Sequence, residues 1–190
     1  ATFTIEDTTN PSIDTDAADQ TVECDGAGNT AQLNAWLADN GGAEASDNCS
    51  AVAWSHSDAT LSDLCGATGA VTVTFTAADD CGNSTTVEQY LMLSDTTAPE
   101  VTAPADYTVS ADAMDCSADI SEAAAGSPSY SDNCGDTDCW GANSLTVSYE
   151  DSAWEYTCMG DDDNTEGTRT LTRTWYVEDR CGNIGEATQT

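Results

Sequence analysis

The sequence Asp-x-Cys-Gly-Asn occurs twice, at Asp79–Asn83 and Asp179–Asn183. Each copy has a Ser-Asp-Asn-Cys partner upstream, at Ser46–Cys49 and Ser131–Cys134. A third marker recurs in the same order, as Asp7-Thr8-Thr9-Asn10-Pro11 and Asp95-Thr96-Thr97-Ala98-Pro99. Three markers repeating in one order make the chain a tandem array rather than one catalytic domain. From Asp7 to Asp95 is 88 positions, close to the length of an immunoglobulin-type sandwich. The markers divide the chain into 1–6, the last strand of a preceding repeat; 7–94, a first repeat; and 95–190, a second whose last strand is incomplete. Ala1–Glu6 precedes its marker just as Tyr90–Ser94 precedes the next one. Arrays of small β units usually supply reach, stalk or adhesive surface.

Strand patterns dominate the chain. Val71–Thr76 alternates with period two, as a half-buried strand does, and Thr168–Val177 is its counterpart. Both run into Asp-x-Cys-Gly-Asn, where Gly-Asn marks a turn. Val87–Leu93, Val101–Val109 and Leu145–Tyr149 supply further strands. Each repeat also has one short helical candidate. Thr30 would cap Ala31–Asn40, stopped by Gly41-Gly42, and Ser117 would cap Ala118–Ala125, stopped by Gly126. The expected fold is therefore all-β: tandem immunoglobulin-like β-sandwiches with one short helix per repeat. Cys49 to Cys81 spans 32 positions and Cys134 to Cys181 spans 47. Part of that excess is Gly160–Asn164, read as a hairpin-loop insertion.

The chain carries 35 acidic residues against three arginines and no lysine, a net charge of −32. Such a charge repels phosphate backbones and anionic lipid, which excludes nucleic acid as a partner. No apolar stretch approaches a membrane span, so no membrane insertion is expected. Nine cysteines, no C-x-x-C and a single histidine argue for disulfides rather than a zinc site. Disulfides place the chain in an oxidising compartment, outside the cell or at its surface. Four cysteines in the first repeat allow three connectivities. Cys49–Cys81 with Cys24–Cys65 is favoured, because the repeated motifs look built to meet. The equivalent pairs are Cys134–Cys181 and Cys116–Cys158, which leaves Cys139 over.

The three markers, together with Thr21-Val22-Glu23-Cys24-Asp25-Gly26, resemble the hyalin-repeat-like modules of very large Bacteroidota surface proteins. Gliding-motility adhesins exported by type IX secretion are among them. The resemblance covers nearly the whole chain. It implies an immunoglobulin-like sandwich and an adhesive or spacer role, with neighbouring repeats as partners and surface glycans or other cells as targets. The second repeat departs from the pattern at Ala111, where Cys24 has its counterpart, and Cys116 lies five residues on.

Calcium is the expected cofactor. It takes six to eight oxygen ligands from carboxylates, Asn side chains and carbonyls. Asp7, Asp47, Asn48, Asp79, Asp80 and Asn83 are matched by Asp95, Asp132, Asn133, Glu178, Asp179 and Asn183. The plainer reading gives Asp and Asn turn chemistry only. Asp161–Asp163 tempts toward an EF-hand loop, but Glu166 stands where that loop needs Gly. His56 has no matched nucleophile, so no catalytic triad is built and no enzyme is expected. Trp140 and Trp154 are the candidates for ligand contact. The reading is a calcium-stiffened, disulfide-stapled stretch of a surface adhesin or filament. Its rivals are a subunit that polymerises by strand donation through Ala1–Glu6 and a carbohydrate-binding accessory module.

Overall fold

Alternating threonine and apolar residues favour extended chain, and the fold is all-β with two short helices among the described residues. The structure is a computed structural model. It describes residues 1–62, 64–65, 67–110, 118–135, 145–158 and 168–190, with only the backbone of 156–158 and 168. The chain divides into two units, Ala1–Asp95 and Thr96–Thr190.

The first unit runs β1 (Ser12–Thr15), β2 (Gln20–Glu23), α1 (Thr30–Ala38), β3 (Glu44–Ser46), β4 (Ala53–His56), β5 (Gly69–Ala78) and β6 (Ser84–Ser94). β1 and β3 form one antiparallel pair, and the other sheet has the order β2-β6-β5-β4. β5 is antiparallel to both neighbours, while β2 runs parallel to β6. Alternate residues of β5, namely Val71, Val73, Phe75 and Ala77, are buried. Ala17, Trp36, Ala43, Leu91 and Leu93 complete the core around them. The Trp36 ring meets Phe75 edge-on, with centroids 5.2 Å apart.

Helix α1 begins at Thr30, one residue before the expected Ala31, so Thr30 is its first residue and not its cap. The preceding Asn29 takes a left-handed conformation and is fully buried. Its Nδ2 donates to the Glu23 carbonyl at 2.8 Å, and its Oδ1 accepts from the Asp25 N–H at 3.1 Å. Asn tolerates that conformation, so one residue turns the chain and satisfies its own amide. The helix stops at Ala38, short of the expected Asn40, and a 3-10 turn over Asn40–Gly42 follows.

The second unit runs β7 (Glu100–Thr102), α2 (Glu122–Ala125), β8 (Ser129–Ser131), β9 (Thr146–Asp151), β10 (Glu155–Cys158), β11 (Thr168–Thr170), β12 (Arg173–Glu178) and β13 (Ile184–Gln189). β7–β8 repeats the β1–β3 pair, and β13-β12-β9 repeats β6-β5-β4. The β10–β11 pair is extra, and it accounts for part of the longer cysteine spacing. The run Thr168–Val177, expected as one strand, is two. Ser152 N–H donates to the Thr172 carbonyl at 2.8 Å, and Thr172 N–H donates to Ser152 Oγ at 3.0 Å, which breaks the run. Val101–Val109 is strand only to Thr102, just before Pro104, which has no N–H to give a ladder. α2 covers only Glu122–Ala125; Ser117, its expected cap, lies outside the described residues. Ala1–Glu6 adopts no strand, and Phe3 and Ile5 stand 93% and 98% exposed.

β7 approaches β13 so closely that a Cβ at Gly185 would run into the Pro99 carbonyl, with Val101 Cγ2 3.0 Å away. Backbone on both sides has little room to yield. Gly185→Ala is expected to destabilise the second unit by about 1–3 kcal/mol, as overpacking does. A thermal melt would show this as a lowered midpoint, whereas an unchanged one would mean β7 is free to move.

Candidate metal centre

Each marker motif builds the same local device: an aspartate that folds the chain around its own carboxylate. Asp79 Oδ1 accepts from the Cys81 and Asn83 N–H groups at 2.9 and 2.8 Å, and Oδ2 accepts from Asn83 Nδ2 at 2.7 Å. Asp79 N–H closes the turn on the Asn83 carbonyl at 3.0 Å. Gly82 sits at φ 93°, which a side chain would resist. Asp179 does the same with Asn183, at 2.9 Å to Oδ1 and 2.8 Å to Oδ2. Burial pushes the Asp79 carboxyl up. The hydrogen bonds from the Asn83 side chain and from the Asn83, Cys81 and Gly82 backbone outweigh it and hold the group below its ordinary range.

The Ser-Asp-Asn-Cys motif is a second such turn. Asp47 Oδ2 accepts from Cys49 N–H at 2.8 Å and Ser50 N–H at 3.1 Å. In the second unit Asp132 Oδ2 accepts from Cys134 N–H at 2.8 Å. The Asp-Thr-Thr marker is a third turn, with Asp7 Oδ1 accepting from Thr9 N–H at 3.0 Å.

These three turns converge in the first unit. One carboxylate oxygen from each of Asp7, Asp47 and Asp79 lies within 4.8 Å of the others. Asn83 Nδ2 ties the Asp7 carbonyl in at 3.1 Å, and Ser50 Oγ receives the Asp80 N–H at 3.2 Å. Asp7 Oδ2 and Asp47 Oδ1 are buried and accept no hydrogen bond. A buried acceptor left unmade costs stability. Each pair of charges at this spacing also repels by about 3 kcal/mol at an effective dielectric near 20.

The expected ligands sort unevenly. Asp7, Asp47 and Asp79 come together, with Asn83 as the clamp between them. Asp80 is exposed and stands outside the cluster, and Asn48 is exposed. The correspondence drawn from the sequence is corrected by one place: Asp179, buried like Asp79, is its counterpart, and Glu178 is an exposed strand residue paired with Ile184. Asn133 is exposed, Asp132 and Asn183 are half-buried, and Asp95, the last residue of the first unit, is half-buried.

Cys24, Cys65, Cys134 and Cys181 are disulfide-bonded. Cys49 and Cys81 are free, exposed thiols, so the expected Cys49–Cys81 bridge is not made. The Ser50–Asp80 hydrogen bond joins their loops instead of sulfur. The Cys49 thiol is raised above its ordinary range, chiefly by the charge of Asp7, with burial, the charge of Asp47, a side-chain hydrogen bond with Asp7 and the charge of Cys81 adding to it. Cys116 and Cys139 lie outside the described residues, as does the side chain of Cys158. So do Trp140 and the Asp161–Asp163 loop. Trp154 is half-buried under the Arg169 guanidinium, 4.2 Å from its ring centroid, which covers one face of the indole.

One site feature was not expected from the sequence at all. Arg173 is buried, its Nε and Nη2 donate to the two oxygens of Asp151 at 2.7 and 2.8 Å, and its guanidinium lies 4.0 Å from the Tyr149 ring centroid. Counting back from Asp79 and Asp179 puts Val73 at the same place in the first unit. The lone signal in the sequence was a charged residue at an inward position of the Arg173–Val177 alternation.

No family model matches this chain, and no curated protein does. Among solved structures it is similar to extracellular cadherin domains 3–6 of protocadherin gamma B2, at 9% identity and a TM-score of 0.31. That alignment covers 94% of this chain and 46% of the cadherin chain, so the chain spans about half the length of that structure. The disulfides fit an extracellular, oxidising setting. No helix among the described residues is long and apolar enough to cross a membrane.

Proposed function

We propose that the chain is a pair of structural or adhesive repeats from a bacterial surface adhesin or filament of hyalin-repeat type, and that calcium stiffens it. The convergence of Asp7, Asp47 and Asp79, with buried oxygens at Asp7 and Asp47 lacking donors, carries the cation reading. The donor set is all hard oxygen, which suits calcium. Three carboxylates would hold the ion, and carbonyls and water would complete its shell. The cation would neutralise the repulsion and join the entry segment to two loop ends. In this reading the chain performs no catalysis, and His56 serves the fold, with its Nδ1 on the Ser57 carbonyl at 2.8 Å.

Calcium at a hundredfold its Kd stabilises a binding unit by about 2.7 kcal/mol. For a unit of this size that corresponds to a midpoint rise on the order of 10 °C over excess chelator. Asp47→Asn keeps an acceptor for the Cys49 and Ser50 N–H groups but removes a charge. It should fold normally in chelator and show a smaller calcium response. Identical wild-type melts with calcium and with chelator would sink the cation reading.

A second reading, strand donation between copies, draws on Phe3 and Ile5. They alternate with threonines in Ala1–Glu6 and are almost wholly exposed. A synthetic peptide of residues 1–6 would compete with assembly in that case, and no effect on oligomer size would dismiss it.

A further inference from the structure

The loops that carry Asp47 and Asp79 also carry Cys49 and Cys81. Each cysteine N–H is fixed on its own aspartate, at 2.8 Å to Asp47 Oδ2 and 2.9 Å to Asp79 Oδ1. The residue after Cys49 and the residue before Cys81 are bonded to each other, Asp80 N–H to Ser50 Oγ at 3.2 Å. The two loops that carry the thiols are therefore joined at one seam, and both thiols are exposed to a reagent. In the second unit Cys134 and Cys181 hold the same positions in the same motifs, and both are disulfide-bonded. Each of these two positions thus carries a free thiol in one repeat and a disulfide-bonded sulfur in the other.

We propose that Cys49 and Cys81 are a redox pair that sets the cation affinity of the Asp7–Asp47–Asp79 cluster. This rests on the calcium reading above and adds its regulation. The oxidant is a small-molecule disulfide. One cysteine thiolate attacks it, releasing one thiol and leaving a mixed disulfide; the second cysteine displaces the other thiol and forms the Cys49–Cys81 bond. Two thiols are oxidised, one disulfide is reduced to two thiols, and the protons pass to the leaving groups. Closure replaces a single hydrogen bond across the seam with a covalent one. It holds Asp47 and Asp79 at binding distance before the cation arrives, so less ordering remains to be done on binding. Because coupling is reciprocal, calcium must favour the disulfide by the same factor by which the disulfide favours calcium.

The test is calorimetric calcium titration of the whole chain, before and after oxidised glutathione, with mass mapping of every disulfide. The expected result is about a tenfold lower Kd after oxidation, within the usual range of site-to-site coupling. The same factor should appear as a shift in the glutathione ratio that half-closes the pair when calcium is present. Cys49→Ser with Cys81→Ser should bind calcium like the reduced protein whatever the oxidant. Equal Kd in the two states, or mapping that never finds Cys49 joined to Cys81, overturns the redox proposal and leaves the calcium reading standing. An absence of calcium binding in both states removes the calcium reading, and this proposal with it.

Discussion

Phe75→Ala is expected to destabilise the first unit by about 3–5 kcal/mol, a large share of what a domain of this size has to spare. Phe75 is 0% exposed at the middle of β5. It meets Trp36 edge-on, and Gly41 packs so closely that a Cβ there would stand 3.1 Å from Phe75 Cε2. The cavity left by truncation has helix α1 and its 3-10 turn as walls. Both are held by backbone bonds, including Ala18 N–H to the Gly41 carbonyl at 2.9 Å, so the site cannot collapse easily. Urea unfolding followed by tryptophan fluorescence would measure the loss. Phe3→Ala is the control: at 93% exposure it should change stability by less than about 0.5 kcal/mol. A Phe75→Ala loss below about 1 kcal/mol would mean that the core is not packed around this ring.

The second large effect is an asymmetry in the second unit. Asp151→Ala should cost about 3 kcal/mol, because it leaves the Arg173 guanidinium buried without its charge partner. Arg173→Met combined with Asp151→Ala should be nearly neutral, since an apolar pair of similar volume commonly matches a buried ion pair. The first unit, with Val73 at that place, is a natural instance of the apolar solution. The pair also makes a pH prediction. The Arg173 hydrogen bonds hold the Asp151 carboxyl below its ordinary range against the opposing effect of burial. A carboxyl depressed in the folded state stabilises fully above its unfolded pKa, about 3.9, and loses that contribution as pH falls through the lower folded value. Wild type should therefore lose more stability than the double variant on going from about pH 5 to pH 2. Parallel pH profiles would show that the ion pair adds nothing to folding.

The repeats, the all-β fold and the α1 position are legible in the sequence because each rests on local pattern: motif recurrence, alternation, and Gly41-Gly42 after an apolar helix face. The carboxylate cluster was half legible. Asp7, Asp47 and Asp79 were named because they recur, but Asn48, Asp80 and Glu178 were named with them. Strand parity separates Asp79 and Asp179 from Asp80 and Glu178: the first two follow the inward positions of β5 and β12, and the others fall on the outward face. The split of Thr168–Val177 depended on Ser152, a residue some twenty positions away that no window would include. Arg173 escaped notice for the same reason, since Asp151 decides whether an inward arginine can be borne.

The parallel pairing of β2 with β6 has a mechanical consequence. β2 lies toward the beginning of the first unit and β6 closes it, and the two run side by side in the same direction from Gln20–Leu91 to Glu23–Ser94. A pull on the chain before β2 and a pull after β6 act in opposite directions along that ladder. All its rungs are then loaded together in shear, and none can be peeled first. The last rung, from the Cys24 N–H to the Ser94 carbonyl at 2.8 Å, sits beside a disulfide-bonded residue. Tension entering at one end of the unit and leaving at the other thus meets a clamp whose bonds must fail as a group.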